Sequence, residues 1–304
     1  MATQIPELLA RGIEAQGRFL VGLELDLTIY SKAVVLEEVK AAFNAYRQVC
    51  PADRLLSCKT ERSDFWDQID PNHPDTSLDR AAERLARRKK RFQAGLWDRN
   101  KVDSWSFQCQ RLPLEPGQPE LSFYRALLPA QTAPELLHKL ATDLGGAIDY
   151  LSGHGGFCFV YDPFREGIAF SVIYRMAKRY LAIDVENLNL TIMGVREAIK
   201  GVNWLTLVGD PFLNNPRVQA NLADLARTPS IAQTPVGPGM LLTAGDHPIL
   251  GDRENPEPEL DLYAQVSRAL EPVQMKHHPD FSGTFFEQGD TMAWFRRFLI
   301  PSTW

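Results

Sequence analysis

The sequence predicts an α+β fold, with antiparallel or mixed sheets flanked by helices. Three observations carry that prediction. Arg18 to Tyr30 alternates strictly between apolar and polar residues, the period-two pattern of a half-buried strand. Several other stretches repeat apolar residues at three and four positions, as amphipathic helices do. Finally, two apolar runs, Val202–Val208 and Met240–Ala244, each close on a Gly-Asp turn and bracket a helical segment. The two halves share a loose strand–helix–strand order, so residues 1–130 and 131–304 read as two similar lobes or as one continuous domain.

In the first strand Phe19, Val21, Leu23, Leu25, Leu27 and Ile29 share one face, and Glu24, Asp26 and Thr28 fall on the other. That second face is expected to be wet. Ser31 reads as a helix cap, followed by a stripe of Val35, Val39, Ala42, Phe43 and Tyr46 that Pro51 stops. Leu55 to Ile69 reads as a second strand. Thr76 or Ser77 caps a helix carrying Arg80, Arg84, Arg87, Arg88, Lys89, Lys90 and Arg91, whose charge run reads as a solvated face. Val102–Gln110 alternates again. Pro113, Pro116, Gly117 and Pro119 mark a loop, and Leu121–Leu128 reads as its return strand.

Thr132 and Pro134 open a helix striped by Leu136, Leu137, Leu140 and Leu144. Gly153-His154-Gly155-Gly156 reads as a flexible turn from that helix into a short strand, Phe157–Tyr161. A long helix over Phe164–Leu181 follows. Pro229–Gly239 reads as a loop, Leu260–Leu270 as a helix stopped by Pro272, and Thr291–Ile300 as a last short helix.

The 304 residues are 44% hydrophobic and 23% charged, enough for a sizeable core. The net charge of −5 argues against a dedicated nucleic-acid binder. Cys50, Cys58, Cys109 and Cys158 form no CxxC pair and read as reduced thiols. Met1–Gly17 carries Pro6, Glu7 and Glu14 in place of a basic and then apolar leader, and no window approaches eighteen apolar residues. A cytoplasmic protein without a membrane span is expected.

No recognised catalytic constellation stands out. There is no Gly-x-Ser-x-Gly elbow, no HExxH, no DxDxDG loop, and neither a GxxxxGK[ST] nor a GxGxxG phosphate cradle. Asp246, His247, Asp252 and Glu254 fall within nine positions and offer hard metal ligands, but Pro248, Ile249 and Leu250 interrupt them. The sequence therefore predicts no metal and no cofactor. Trp204 reads as core, with its N–H bonded to a backbone carbonyl, and Cys158 as a small core residue.

Four segments carry a family resemblance. Val202-Asn203-Trp204-Leu205-Thr206-Leu207-Val208-Gly209-Asp210 resembles the "VNWLT" strand of the type VI secretion immunity family, the TsiV-like proteins. Ala244–Asp252 is similar to that family's "AG-x-x-P-x-LGD" segment. Tyr263–Pro272 resembles its tyrosine-containing helix, and Trp294–Phe298 its terminal "W-x-x-RF" signature. The resemblance implies an immunity protein, not an enzyme: one that binds a cognate effector toxin one-to-one, with a cytosol-acting nuclease as the leading candidate. Such an inhibitor can mimic phosphate with carboxylates. The acidic loop after the second Gly-Asp turn, Asp246, Asp252, Glu254, Glu257, Glu259 and Asp261, is the candidate toxin-binding surface, stiffened by Pro256 and Pro258.

 The competing reading is an uncharacterised metal-dependent or thiol enzyme with a site near His154, Asp246 and Asp252.

Overall fold

The computed structural model describes residues 3–60, 67–69, 92–112, 120–282, 286 and 289–304. The first half contributes α1 (Glu7–Arg11), β1 (Ile13–Ala15), β2 (Arg18–Ser31), α2 (Leu36–Val49), β3 (Ser57–Thr60), β4 (Asp67–Gln68), β5 (Phe92–Trp97), β6 (Ser106–Leu112) and β7 (Leu121–Pro129). The second contributes α3 (Pro134–Ala147), β8 (Tyr150–Tyr161), α4 (Glu166–Arg179), β9 (Asp184–Val185), α5 (Leu188–Thr191) and β10 (Leu205–Gly209). It continues with α6 (Asp210–Leu213), α7 (Pro216–Leu225), β11 (Ile231–Val236), β12 (Gly239–Ala244), α8 (Leu260–Leu270) and α9 (Asp290–Phe295).

The described strands form one sheet in the order β11–β12–β10–β8–β2–β7–β6–β5–β3–β4, with β1 added to β2 and β9 to β8. Every pairing is antiparallel except β8 with β9. Strands from residues below 130 make one wing and strands from above 130 the other. The wings join along β2 and β8, which pair from Val21↔Tyr161 to Ser31↔Tyr150.

One face of the sheet follows from the alternation in β2. Leu27, Ala126 and Phe107 lie in one row across β2, β7 and β6. Phe43 of α2 meets Phe107 edge-on at 5.1 Å, and Tyr46 stacks on it at 5.2 Å. Helix α3 packs beside α2 on the sheet, burying Leu137, Leu140, Ala141 and Leu144. Gly145 faces the sheet without a side chain. A Cβ there would come within 2.8 Å of Leu207 Cδ2 and of Val236 Cγ1, so this mid-helix glycine serves packing.

The opposite face departs from expectation. Glu24, Asp26 and Thr28 are buried at 1%, 1% and 0% exposure. The wet face predicted for β2 is an internal polar layer, because distant chain meets it: Ser104 at Glu24, Arg125 at Asp26 and Glu186 at Tyr30. The Gly-rich run 153–156 likewise lies inside β8 instead of forming a turn. Ser31 stays in β2, bonding the Ala33 carbonyl at 3.0 Å, and α2 is preceded by Val35 with no side-chain cap. The Pro229–Gly239 stretch contains strand β11, which sits at the end of the sheet, where Pro235 removes no central ladder bond. The helices expected over Phe164–Leu181 and Leu260–Leu270 are present, the first spanning Glu166–Arg179. The Arg80–Arg91 charge run lies outside the described residues, as do Pro113–Pro119.

Candidate functional site

Two groups of polar residues stand out, one internal and one on the surface. The internal group is assembled from β2, β7, β8, β9 and the segment before β10. Lys200, buried, donates from Nζ to Asp184 Oδ2 at 2.6 Å, Glu186 Oε2 at 2.8 Å and the Val185 carbonyl at 2.9 Å. His154 Nε2 lies 3.1 Å from that same Asp184 oxygen and 3.2 Å from that same Glu186 oxygen. It is within ion-pair distance of both but aligned for a hydrogen bond with neither. Tyr30 donates to Glu186 Oε2 at 3.2 Å, while Glu186 Oε1 is buried without a hydrogen-bond partner among the described residues. Next to this cluster Arg125 pairs with Asp26, and Thr28 donates to Asp26 Oδ1 at 2.7 Å.

Burial works against every charge here, and mutual attraction outweighs it. Burial raises the Asp184 and Glu186 carboxyls, but Lys200 and His154 leave both below the ordinary range. Burial lowers Lys200, but the two carboxylates leave it raised. Burial and Lys200 lower His154, but Asp184 and Glu186 leave it raised as well. Glu24 behaves differently. Burial pushes it well above the ordinary carboxylate range, only partly offset by the Ser104 amide that donates to Oε1 at 3.1 Å.

The surface group is the acidic loop. Asp246, Glu254 and Asp261 are exposed, and Glu257 and Glu259 are half-buried. Asp252 is buried instead, in a bidentate pair with Arg179 of α4 whose two N–O distances are both 2.8 Å. The Arg179 hydrogen bonds hold its carboxyl well below the usual carboxylate range. Glu254 joins Arg179 at 2.6 Å. Glu257 turns inward and accepts from the Gly251 and Asp252 amides at 2.6 and 3.2 Å. Asp261 accepts from Gln265 at 2.7 Å on α8. Asp246 borders a cleft with Glu135, His138, Lys139, Trp204 and Thr243.

The structure does not bring His154, Asp246 and Asp252 together. His154 is held by Asp184 and Glu186 inside the sheet, Asp252 by Arg179 under the acidic loop, and Asp246 is on the surface. The enzyme reading built on that trio loses its geometry. Cys158 is fully buried, and burial pushes its thiol well above the ordinary value, which disfavours a thiolate. Asp184, Glu186, Lys200 and Arg125 did not emerge from the sequence. The alternating carboxylates of Asp184-Val185-Glu186 were the available signal, and only the fold supplies their cations.

A family model described as "TsiV: Type VI immunity for VRR-NUC" matches residues 38–298. The chain belongs to the TsiV family. No curated protein matches it. Among solved structures it is similar to "Pseudomonas aeruginosa T6SS protein PA0821", at 20% identity over 97% of this chain and 88% of that one, with a TM-score of 0.74. At that identity the likeness is one of fold.

The TsiV-like segments do structural work. Trp204 is buried and its indole N–H donates to the Gly245 carbonyl at 3.0 Å, tying the first apolar run to the second Gly-Asp turn. Gly245 and Gly251 adopt φ of +83° and +65°, the left-handed region that favours glycine. Tyr263 accepts from the Ile249 amide at 3.4 Å. Arg297 of the terminal signature is buried over the Trp294 ring at 4.1 Å and donates to the Leu181 carbonyl at 2.6 Å. Burial lowers its pKa to about 10.

Proposed function

We propose that this chain is an immunity protein that binds a VRR-NUC nuclease effector of the type VI secretion system, one-to-one in the cytoplasm, and neutralises it by occluding its active site or substrate cleft. The match to the TsiV model over residues 38–298 carries this reading. Among the described residues no helix is long and apolar enough to cross a membrane. No nucleic acid, metal or cofactor enters the proposed action.

The acidic loop is the proposed contact surface. A nuclease must present cationic groups to phosphate, and carboxylates held in place can take those groups instead. Asp246, Glu254, Glu259 and Asp261 would face the effector. Asp252 and Glu257 would shape the loop, since their oxygens are engaged by Arg179, Asn255 and the loop amides. Together with Pro256 and Pro258, these bonds order the loop before binding and lower its entropic cost.

The test is a charge-reversed variant, Asp246→Lys with Glu259→Lys and Asp261→Lys, titrated calorimetrically against a catalytically inactive cognate effector. The expected result is a loss of affinity of at least a hundredfold, a steep salt dependence in the native pair, and loss of protection in cells expressing active toxin. Native affinity in the folded variant would remove the loop from the interface. Absence of any complex between the native chain and its effector would remove the function itself.

A further inference from the structure

We propose that His154, Asp184 and Glu186 form a divalent-metal cage whose cation position is held in this protein by the ammonium group of Lys200. The inference rests on the internal cluster alone and does not depend on the immunity reading.

The three ligand atoms, His154 Nε2, Asp184 Oδ2 and Glu186 Oε2, lie within 4.8 Å of one another. The imidazole nitrogen is 3.1 and 3.2 Å from the two oxygens. Donor atoms at about 2.0–2.1 Å from a tetrahedral metal are themselves about 3.3 Å apart, so this spacing is close to the edge of a coordination polyhedron. Unsatisfied donor capacity accompanies that spacing. Nε2 is buried and makes no aligned hydrogen bond to either carboxylate, and Glu186 Oε1 is buried and also unpartnered among the described residues. One imidazole and two carboxylates suit zinc, manganese or cobalt.

Lys200 explains how such a cage persists without a metal. Its Nζ touches the same two oxygens that the imidazole faces, at 2.6 and 2.8 Å. It also takes the Val185 carbonyl at 2.9 Å, an oxygen that would otherwise be available as a fourth ligand. A tethered ammonium thus supplies the positive charge, and it excludes a second cation by repulsion and by volume. Removing the side chain to Cβ vacates the position while leaving the ligands in place.

The experiment uses the full chain and cobalt(II) as the probe, read by visible d–d absorption and by thermal unfolding. Lys200→Ala should bind one cobalt per chain, with visible bands and a higher unfolding midpoint on metal addition. The native protein should show neither, and His154→Ala on the Lys200→Ala background should abolish both. A folded Lys200→Ala variant that takes up no cobalt overturns the proposal. So does cobalt binding that survives the loss of His154, or equal binding by the native protein. If Lys200→Ala is insoluble alone, its soluble yield is compared with and without zinc during expression. Rescue that requires His154 supports the cage, and equal insolubility in both media overturns it.

Discussion

Gly156 sits against the side-chain amide of Asn203 at the point where β8 exchanges one neighbour for another. Strand β10 pairs with β8 over residues 152–155, and β9 takes over at Cys158. A Cβ on Gly156 would lie 2.8 Å from Asn203 Cγ. Asn203 cannot easily retreat, because its Oδ1 accepts from the Trp204 amide at 2.8 Å. The Gly-rich run and the TsiV signature strand are therefore two sides of one contact.

Gly156→Ala should destabilise the protein by about 1–3 kcal/mol, the usual cost of overpacking a closed site. Urea unfolding measures it. Asn203→Gly, added to Gly156→Ala, should recover part of the loss, giving a favourable coupling in a double-mutant cycle. Additive losses would show that the two residues do not press on each other.

Lys200→Met should cost about 3–5 kcal/mol, because it leaves Asp184 and Glu186 as buried like charges. Neutralising them as well, with Asp184→Asn and Glu186→Gln, should make the triple variant more stable than Lys200→Met alone. Denaturant midpoints at one fixed pH decide the order.

Glu24→Gln should stabilise the protein at pH 8 and have little effect near pH 4. The folded carboxyl is raised by burial, so its favourable contribution is complete below the unfolded pKa and declines as pH rises toward the folded value. Glutamine keeps an acceptor for the Ser104 amide and removes the buried charge. The difference in thermal midpoint between native and variant should therefore grow with pH; a constant difference would count against this account.

Asp252 predicts the reverse trend. Its carboxyl is depressed, chiefly by the Arg179 hydrogen bonds, so its contribution is present above the unfolded value of about 3.9 and is lost as pH falls through the folded one. Asp252→Asn should lower stability at pH 7, and the gap should close as the pH is taken below about 4. An acid titration of the two proteins followed by circular dichroism tests this.

We propose that the halves divided at residue 130 are two lobes of one cooperative unit. The β2–β8 ladder is central to the sheet, and separating the halves would expose both strands as long edges. Fragments 1–130 and 131–304 should be insoluble or unfolded alone and should associate when co-expressed. A fragment that unfolds cooperatively by itself would make its lobe an independent domain.

Local pattern carried much of the architecture. Period two in β2 and the apolar stripes of α2, α3 and α8 reflect backbone geometry that neighbouring residues alone impose, so they were legible. So were the membership signals around Trp204 and Arg297, because they are contiguous in sequence. Pattern misled where a residue's surroundings come from distant chain. Gly153–Gly156 has the composition of a turn, yet it is a strand because β2 and β10 approach it from both sides. The acidic loop was visible as a run of carboxylates, but not that Arg179 and the loop's own amides engage Asp252 and Glu257 while Asp246 and Glu259 do not share those bonds.

By itself, then, the sequence determined the elements with a clear apolar period, β2 and the striped helices among them, and which face of each is apolar. It could not determine what lies on the other face of β2. Alternation places Glu24, Asp26 and Thr28 together on one side, but whether that side meets water or buried cations depends on Arg125, His154 and Lys200, which lie from about a hundred to more than 170 positions away in the chain. Only the tertiary structure sets Arg125 against Asp26 and places His154 and Lys200 on Asp184 and Glu186, to which Tyr30 of the same strand donates. Coulomb attraction at such short range in a low-dielectric interior then turns a strand's polar face into the centre of the molecule.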